Sequence, residues 1–76
     1  MLEEQIKKIL SDIFDLSADQ VDESVSLQKT PSWDSMRHLE IMSTIESEFG
    51  ITLEVADIIE MKSFLKILEV LKKKGF

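Results

Sequence analysis

The sequence predicts an all-α fold, a small up-and-down bundle of three main helices plus one short helix, with a long first loop. Apolar residues recur at helical spacing in three separate segments. Glycine occurs only twice and proline once among 76 residues, which disfavours a turn-rich β fold. A chain of this length can bury one small core, so we expect a single domain over residues 1–76.

The first and last helices have the clearest amphipathic patterns. Residues 2–16 alternate apolar positions with acids and lysines, and Glu3 and Glu4 lie in the first turn, where the helix dipole favours negative charge. Residues 63–74 begin at Ser63, a suitable N-cap, and end in lysines that suit a helix C-terminus. Both segments are therefore predicted to be helices that pack one face on the core.

The middle of the chain contains a long helix and a short one. Residues 35–49 follow the start signals Ser32 and Asp34 and stop at Gly50. After a short extended link, residues 54–60 are long enough for one or two helical turns. We expect their apolar side chains to face inward: Val55, Ala56, Ile58 and Ile59.

Residues 17–34 form the long first loop, because they have neither a helical nor a strand period. Val21, Val25 and Leu27 interrupt this polar stretch and are expected to hold it against the core, with a short helical turn after Ser17 or Ala18. Ordered loops of this length are often functional. The expected core combines residues of the loop and all four helices: Ile6, Ile9, Leu10, Ile13, Val25, Leu27, Ile41, Met42, Ile45, Phe49, Ile58, Ile59, Phe64, Ile67 and Leu68.

Composition excludes several classes of function. Without cysteine there is no disulfide, thiolate zinc site or cysteine nucleophile, and a single histidine disfavours a metal cluster. The net charge of −6 would repel nucleic acid. No apolar run approaches the roughly 20 residues of a membrane span, and no secretion signal is visible, so we expect a cytoplasmic protein.

An exposed apolar position is predicted at the start of the helix over residues 35–49. On an ideal helix Ile41, Met42, Ile45 and Phe49 share the core side, and Met36 lies opposite. Glu40, Ser43 and Ser47 fall near Met36, and Leu39 lies on the flank. Met36 is either a contact for partner proteins or an ordinary exposed residue.

Ser35 is the residue with the greatest chemical interest. If Asp34 is the N-cap, Ser35 is the first helical residue and its hydroxyl points into solvent at the positive end of the helix dipole. If Ser35 is itself the N-cap, the hydroxyl has a structural role instead. The sequence leaves both alternatives open.

The motif Asp34-Ser35-Met36, followed by Glu40 and by the helix end Glu46-Ser47-Glu48-Phe49-Gly50-Ile51, resembles the acyl carrier protein family. Members open a helix with Asp-Ser-Leu or Asp-Ser-Met and end it with Glu-x-x-Phe or Glu-Glu-Phe. A short Ile-rich helix and a final amphipathic helix follow, so the resemblance spans essentially the whole chain.

This resemblance implies a covalent 4′-phosphopantetheine on Ser35, donated by coenzyme A and attached by a phosphopantetheinyl transferase that uses Mg²⁺. The chain would hold acyl intermediates as thioesters, present them to acyl-loading and acyl-transfer or condensing enzymes, and catalyse nothing itself. The expected partner-binding residues surround Ser35 or follow it along the helix: Asp34, Met36, Arg37, Leu39, Glu40 and Glu46.

The sequence departs from the commonest fatty-acid carriers at several positions. Ser32 and Trp33 replace a Gly and a small residue before Asp34, and Arg37 replaces a residue that is often acidic. The segment Trp-Asp-Ser-Met followed by His38 looks more like the free-standing carriers of specialised pathways. Fatty acid biosynthesis and polyketide or other specialised biosynthesis both stay open as pathways.

Other functions remain open from the residues alone. The chain could be an aminoacyl or peptidyl carrier of a nonribosomal or cell-wall pathway, or an unmodified helical adaptor that binds through Met36 and Leu39. A hydrolase using Ser35 and His38 is disfavoured because no third group orients the imidazole. We expect His38 to lie on the core side near Trp33 and the protein to be a monomer. For Trp33 we favour a role as an anchor of the loop over one as an exposed docking residue.

Overall fold

The structure, a computed structural model, describes residues 2–76 apart from the side chain of Ala18. Four α-helices follow one another: α1 (Leu2–Phe14), α2 (Ser35–Phe49), α3 (Val55–Glu60) and α4 (Phe64–Lys73). A single 3₁₀ turn, Ala18–Gln20, lies in the long first loop. The predicted all-α bundle of three main helices and one short helix is confirmed.

Helix α1 ends two residues earlier than predicted because Asp15 adopts a left-handed conformation with φ 56°. The amide of Leu16 then donates to the carbonyl of Ser11 at 2.9 Å, which closes the helix end. Gly50 has the same role after α2, where its φ of 65° suits a residue without a Cβ.

The core is continuous through the bundle, and α1 packs against both α2 and α4. Most predicted core residues are buried, while Ile13, Phe49 and Ile58 are partly buried at its edge. The loop contributes Val21 and Val25, as expected, together with Trp33. Other buried residues outside the predicted set lie next to α3 or within α4: Leu53, Met61, Val70 and Leu71.

Two residues were wrongly placed in the core. Leu27 is 38% exposed because a turn begins at Ser26, whose carbonyl accepts from the amide of Thr30. Ile59 is 62% exposed because α3 turns Ile58 toward the bundle instead. Val55, one helical turn before Ile59, is also exposed, as is Ala56. Of the four residues expected to face inward, Ile58 does so and the other three do not.

The first loop is fastened to the start of α4 by backbone hydrogen bonds. The amide of Leu27 donates to the carbonyl of Lys62 at 2.8 Å, and the amide of Phe64 donates to the carbonyl of Val25 at 3.0 Å. Ser63 caps α4 as predicted, since its hydroxyl oxygen accepts from the amide of Lys66. Within residues 2–76, no helix has both the length and the apolar character required to cross a membrane.

Helix α3 is held against the end of α4 by ion pairs. The ammonium group of Lys74 lies 2.9 Å from the carboxylate of Asp57, and that of Lys73 lies 3.7 Å from Glu60. The hydrogen bond from Lys74, followed by that from the amide of Glu54, lowers the pKa of Asp57 below its usual value. The hydrogen bond to Asp57 raises the pKa of Lys74.

Acid should therefore loosen α3. Because the pKa of Asp57 is lower in the folded chain, its contribution is present at neutral pH and is lost as the pH falls through the folded pKa. We expect Asp57→Asn, which keeps an acceptor for the Glu54 amide, to lower stability at about pH 7 and to have a smaller effect near pH 3. Urea unfolding at both pH values measures this; an equal loss at both would show that the charge is unimportant.

Candidate functional site

The start of α2 is fixed by Asp34. Its backbone is extended, with φ −104° and ψ −173°, and its carboxylate oxygen Oδ1 accepts from the amide of Arg37 at 2.9 Å. Its carbonyl accepts from the amide of His38 at 2.9 Å. Asp34 is therefore the N-cap and Ser35 is the first helical residue, which resolves the two alternatives left open by the sequence.

Ser35 lies exposed at the N-terminus of a helix of 15 residues. Since Asp34 caps the helix, the Ser35 hydroxyl is not required for capping. The free amides and the positive end of the dipole at this position stabilise a phosphate group by roughly 0.3–1 kcal/mol. The exposed hydroxyl and the helix terminus thus fit a phosphodiester that projects into solvent.

Trp33 and His38 hold this helix start against the rest of the fold. Trp33 is buried beside Phe14, with ring centroids 5.4 Å apart, which confirms its predicted role as an anchor. Its Nε1–H donates to Nδ1 of His38 at 3.1 Å. A neutral imidazole then carries its proton on Nε2, which lies 2.7 Å from the carbonyl oxygen of Ile58 and donates to it. This chain of hydrogen bonds links the loop, α2 and α3.

The residues around Ser35 form one exposed surface, which we call the α2 face: Asp34, Met36, Arg37, Leu39 and Glu40. Met36 is 81% exposed and Leu39 is 61% exposed, so the predicted exposure of Met36 is confirmed. The guanidinium of Arg37 lies 3.3 Å from the carboxylate of Glu40. Two apolar side chains therefore stand beside a mutually neutralising ion pair.

Glu46 lies apart from the α2 face, near the opposite end of the helix. Its carboxylate oxygen Oε2 accepts from the amide of Leu53 at 2.7 Å and so holds the link between α2 and α3. The structure brings five of the six expected partner-binding residues together and gives Glu46 a hydrogen bond within the fold. Its contact with a partner stays a prediction.

Comparison with known proteins gives the family. Residues 4–71 match the family model described as the phosphopantetheine attachment site. This match covers most of the 76 residues and includes the whole of α2. The chain belongs to this family. It is a phosphopantetheine carrier protein, and 4′-phosphopantetheine is its covalent cofactor.

A curated relative points the same way. The carrier is similar to polyketide-8 synthase acyl carrier protein 2 of Streptomyces avermitilis, with 28% identity over 71 residues. The alignment covers 93% of this chain and 82% of the relative. The similarity therefore extends over nearly the entire carrier and is not confined to the residues around Ser35.

Among the described residues, the two potential bases nearest to Ser35 in sequence, Asp34 and His38, take part in other hydrogen bonds. Both imidazole nitrogens of His38 are engaged, one by Trp33 and the other by the carbonyl of Ile58. The Asp34 oxygen Oδ1 is engaged by the amide of Arg37. These contacts argue against a nucleophilic pair of Ser35 and His38.

Proposed function

We propose that Ser35 carries the phosphopantetheine arm and that the protein delivers acyl groups as thioesters to the enzymes of a specialised, polyketide-type pathway. The single observation that carries the proposal is the exposed Ser35 hydroxyl at the first position of α2, directly after its N-cap Asp34. Attachment would form a bond between the serine oxygen and a phosphorus of coenzyme A. The pyrophosphate bond of coenzyme A would break, adenosine 3′,5′-bisphosphate would leave, and the hydroxyl proton would pass to the transferase.

The acyl cargo is supported by similarity to a polyketide synthase acyl carrier protein. The arm supplies a terminal thiol that forms thioesters, while the protein supplies position and recognition. A tethered substrate has a high effective concentration at each enzyme that the carrier visits. A small compact fold, with dimensions of 26 × 26 × 19 Å, suits successive visits to several enzymes.

The partners in this proposal are the phosphopantetheinyl transferase and the acyl-loading and acyl-transfer or condensing enzymes, all in the cytoplasm. They would contact the α2 face, and the carrier would act as a monomer without catalytic activity of its own. Transient contacts need only a small interface, which Met36 and Leu39 at its centre could provide.

Mass spectrometry tests the proposal directly. Incubation with coenzyme A, Mg²⁺ and a broad-range phosphopantetheinyl transferase should raise the intact mass by one arm. Peptide mapping should then place the added mass on Ser35 and not on Ser32 or Ser43, which are also exposed. Absence of any mass gain with several such transferases, or an arm on another residue, would contradict the proposal.

Met36 offers a test of the α2 face. Because Met36 is 81% exposed, Met36→Asp should leave folding unchanged. Loss of its apolar contact should lower kcat/KM of the transferase about tenfold, equivalent to about 1.4 kcal/mol.

A matched variant separates this contact from a general effect of charge. Val55→Asp introduces the same charge at a position that is 72% exposed and lies on α3, outside the α2 face. We expect the transferase to modify Val55→Asp at nearly the wild-type rate. An equal loss in both variants would contradict a local contact at Met36.

A further inference from the structure

A second surface, separate from the α2 face, lies between α3 and α4. This groove is lined by Ala56, Ile59, Glu60, Lys62 and Lys66 and has a volume of about 540 Å³, a size typical of small-ligand sites. Ile59 is 62% exposed in it although it is a large apolar residue. The exposed apolar surface of Ile59 and Ala56 lies beside Lys62 and Lys66. This combination suits a ligand that is apolar along its length and anionic at one end.

Helix α3, one wall of the groove, is hydrogen-bonded to the first turns of α2, the helix that begins at Ser35. His38, less than one helical turn after Ser35, donates to the carbonyl of Ile58, the residue directly before Ile59. The hydrogen bond between the amide of Leu27 and the carbonyl of Lys62 holds Lys62 against the loop that leads into α2. A flexible arm on Ser35 would thus be tethered to a helix that directly contacts one wall of the groove.

The charges around the groove favour an anion. Glu60 is paired with Lys73 at 3.7 Å, and Lys66 is 3.7 Å from Glu69. Among the described residues no ion pair is formed by Lys62, whose side chain is exposed. Elsewhere the chain is acidic, since residues 1–61 carry 14 acids and four bases, a charge of −10, whereas residues 62–76 carry five lysines and one glutamate, a charge of +4. A carboxylate would therefore be attracted to these lysines and repelled by most of the remaining surface.

We propose that this groove holds the acyl cargo of the loaded carrier, and that the cargo it selects is an acyl group ending in a carboxylate. The acyl chain lies on Ile59 and Ala56, and its carboxylate accepts charge-assisted hydrogen bonds from Lys62 and Lys66. Tethering makes even a weak site well occupied. This inference rests on the proposed attachment at Ser35.

Nuclear magnetic resonance of loaded carriers tests the assignment. The transferase is used to load three forms from coenzyme A, pentanoyl-coenzyme A and glutaryl-coenzyme A; the two acyl groups have the same number of carbons and differ in the terminal carboxylate. Intact mass first confirms loading. The glutaryl form should shift the amide signals of Ile59, Lys62 and Lys66 several times more than the pentanoyl form.

Charge reversal gives the matched controls. In Lys62→Glu/Lys66→Glu the glutaryl shifts should disappear, whereas Lys8→Glu/Lys29→Glu, with the same change in net charge at other exposed lysines, should retain them. Equal shifts for pentanoyl and glutaryl forms would overturn the carboxylate, because an apolar chain alone would then suffice. If the carrier loaded from coenzyme A, which has no acyl group, already shows amide shifts at Lys62 and Lys66, the lysines bind the phosphate of the arm. That result would also overturn the proposal.

Two further results would also overturn the proposal. Shifts concentrated at Ile41 and Ile45 would place the cargo inside the bundle rather than in the groove. Failure of Ser35 to accept the arm would be visible in the mass before any spectrum is recorded, and it would refute the proposed function together with this inference. Loading without shifts in the groove would refute the inference alone.

Discussion

Ser35→Ala should abolish the gain of mass caused by the phosphopantetheinyl transferase and leave the fold intact. The reaction needs the serine oxygen, so no arm should be attached even after long incubation. Asp34 supplies the N-cap of α2 through its hydrogen bond to the amide of Arg37, and alanine is a good helix former at the next position. Stability should therefore change by less than about 0.5 kcal/mol.

Ser32→Ala is the matched control, because Ser32 is also exposed and lies three residues before Ser35. It should gain the full mass of the arm at the wild-type rate. Circular dichroism and urea unfolding should be the same for both variants. A mass gain that persists in Ser35→Ala would refute Ser35 as the attachment residue, whatever the family of the chain.

The three long helices were predictable because each combines a long amphipathic pattern with a local stop or start signal. The cap residues Asp34 and Ser63 both accept the hydrogen bonds expected of them, and Gly50 takes the left-handed conformation. These start and stop signals depend on residues within one helical turn, so they can be recognised from the local sequence alone. The end of α1 was less predictable, because the left-handed residue there is Asp15 and not a glycine.

The orientation of α3 could not be read from its sequence. A helix of six residues makes fewer than two turns, so its apolar residues can be assigned to either face. Its orientation depends on contacts with distant residues, chiefly the ion pair of Asp57 with Lys74 and the bond from His38 to the carbonyl of Ile58. These contacts expose Ile59 and so create the groove next to Lys62.

The candidate site was predictable to the extent that it is local. Ser35 at the helix start and exposed Met36 follow from residues adjacent in sequence, which left the cap as either Asp34 or Ser35. The contact between His38 and Trp33 is also local, since the two residues are five apart. The second bond of His38 spans 20 residues, and no local pattern indicates it. It also explains why the imidazole is not free to act on Ser35.

Trp33→Ala should have the largest effect on stability. Trp33 is buried, packs on Phe14 and donates to His38. Removing such a side chain costs about 3–5 kcal/mol. A domain of this size has a total stability of roughly 4–11 kcal/mol, so the variant should be close to unfolding at room temperature. Urea unfolding followed by circular dichroism measures the loss, since the variant has no tryptophan for fluorescence.

Trp33→Phe divides this effect into packing and hydrogen bonding. Phenylalanine keeps an aromatic ring against Phe14 but leaves Nδ1 of His38 without its donor, at a cost of about 1–3 kcal/mol. Leu39→Ala serves as the control. Because Leu39 is 61% exposed, this change should leave the free energy of unfolding almost unchanged. A Trp33→Ala variant within about 1 kcal/mol of wild type would show that the loop is anchored elsewhere.

The Trp33→Ala variant also tests how stability affects the modification of Ser35. Trp33 directly precedes Asp34, so losing its anchor should let the first turn of α2 fray and leave Ser35 in an irregular segment. The transferase would then meet a mobile serine without an ordered helix terminus beside it. We therefore expect Trp33→Ala to be modified more slowly than Trp33→Phe even at a temperature where both retain most of their helix, because presentation of the hydroxyl depends on the buried ring behind it.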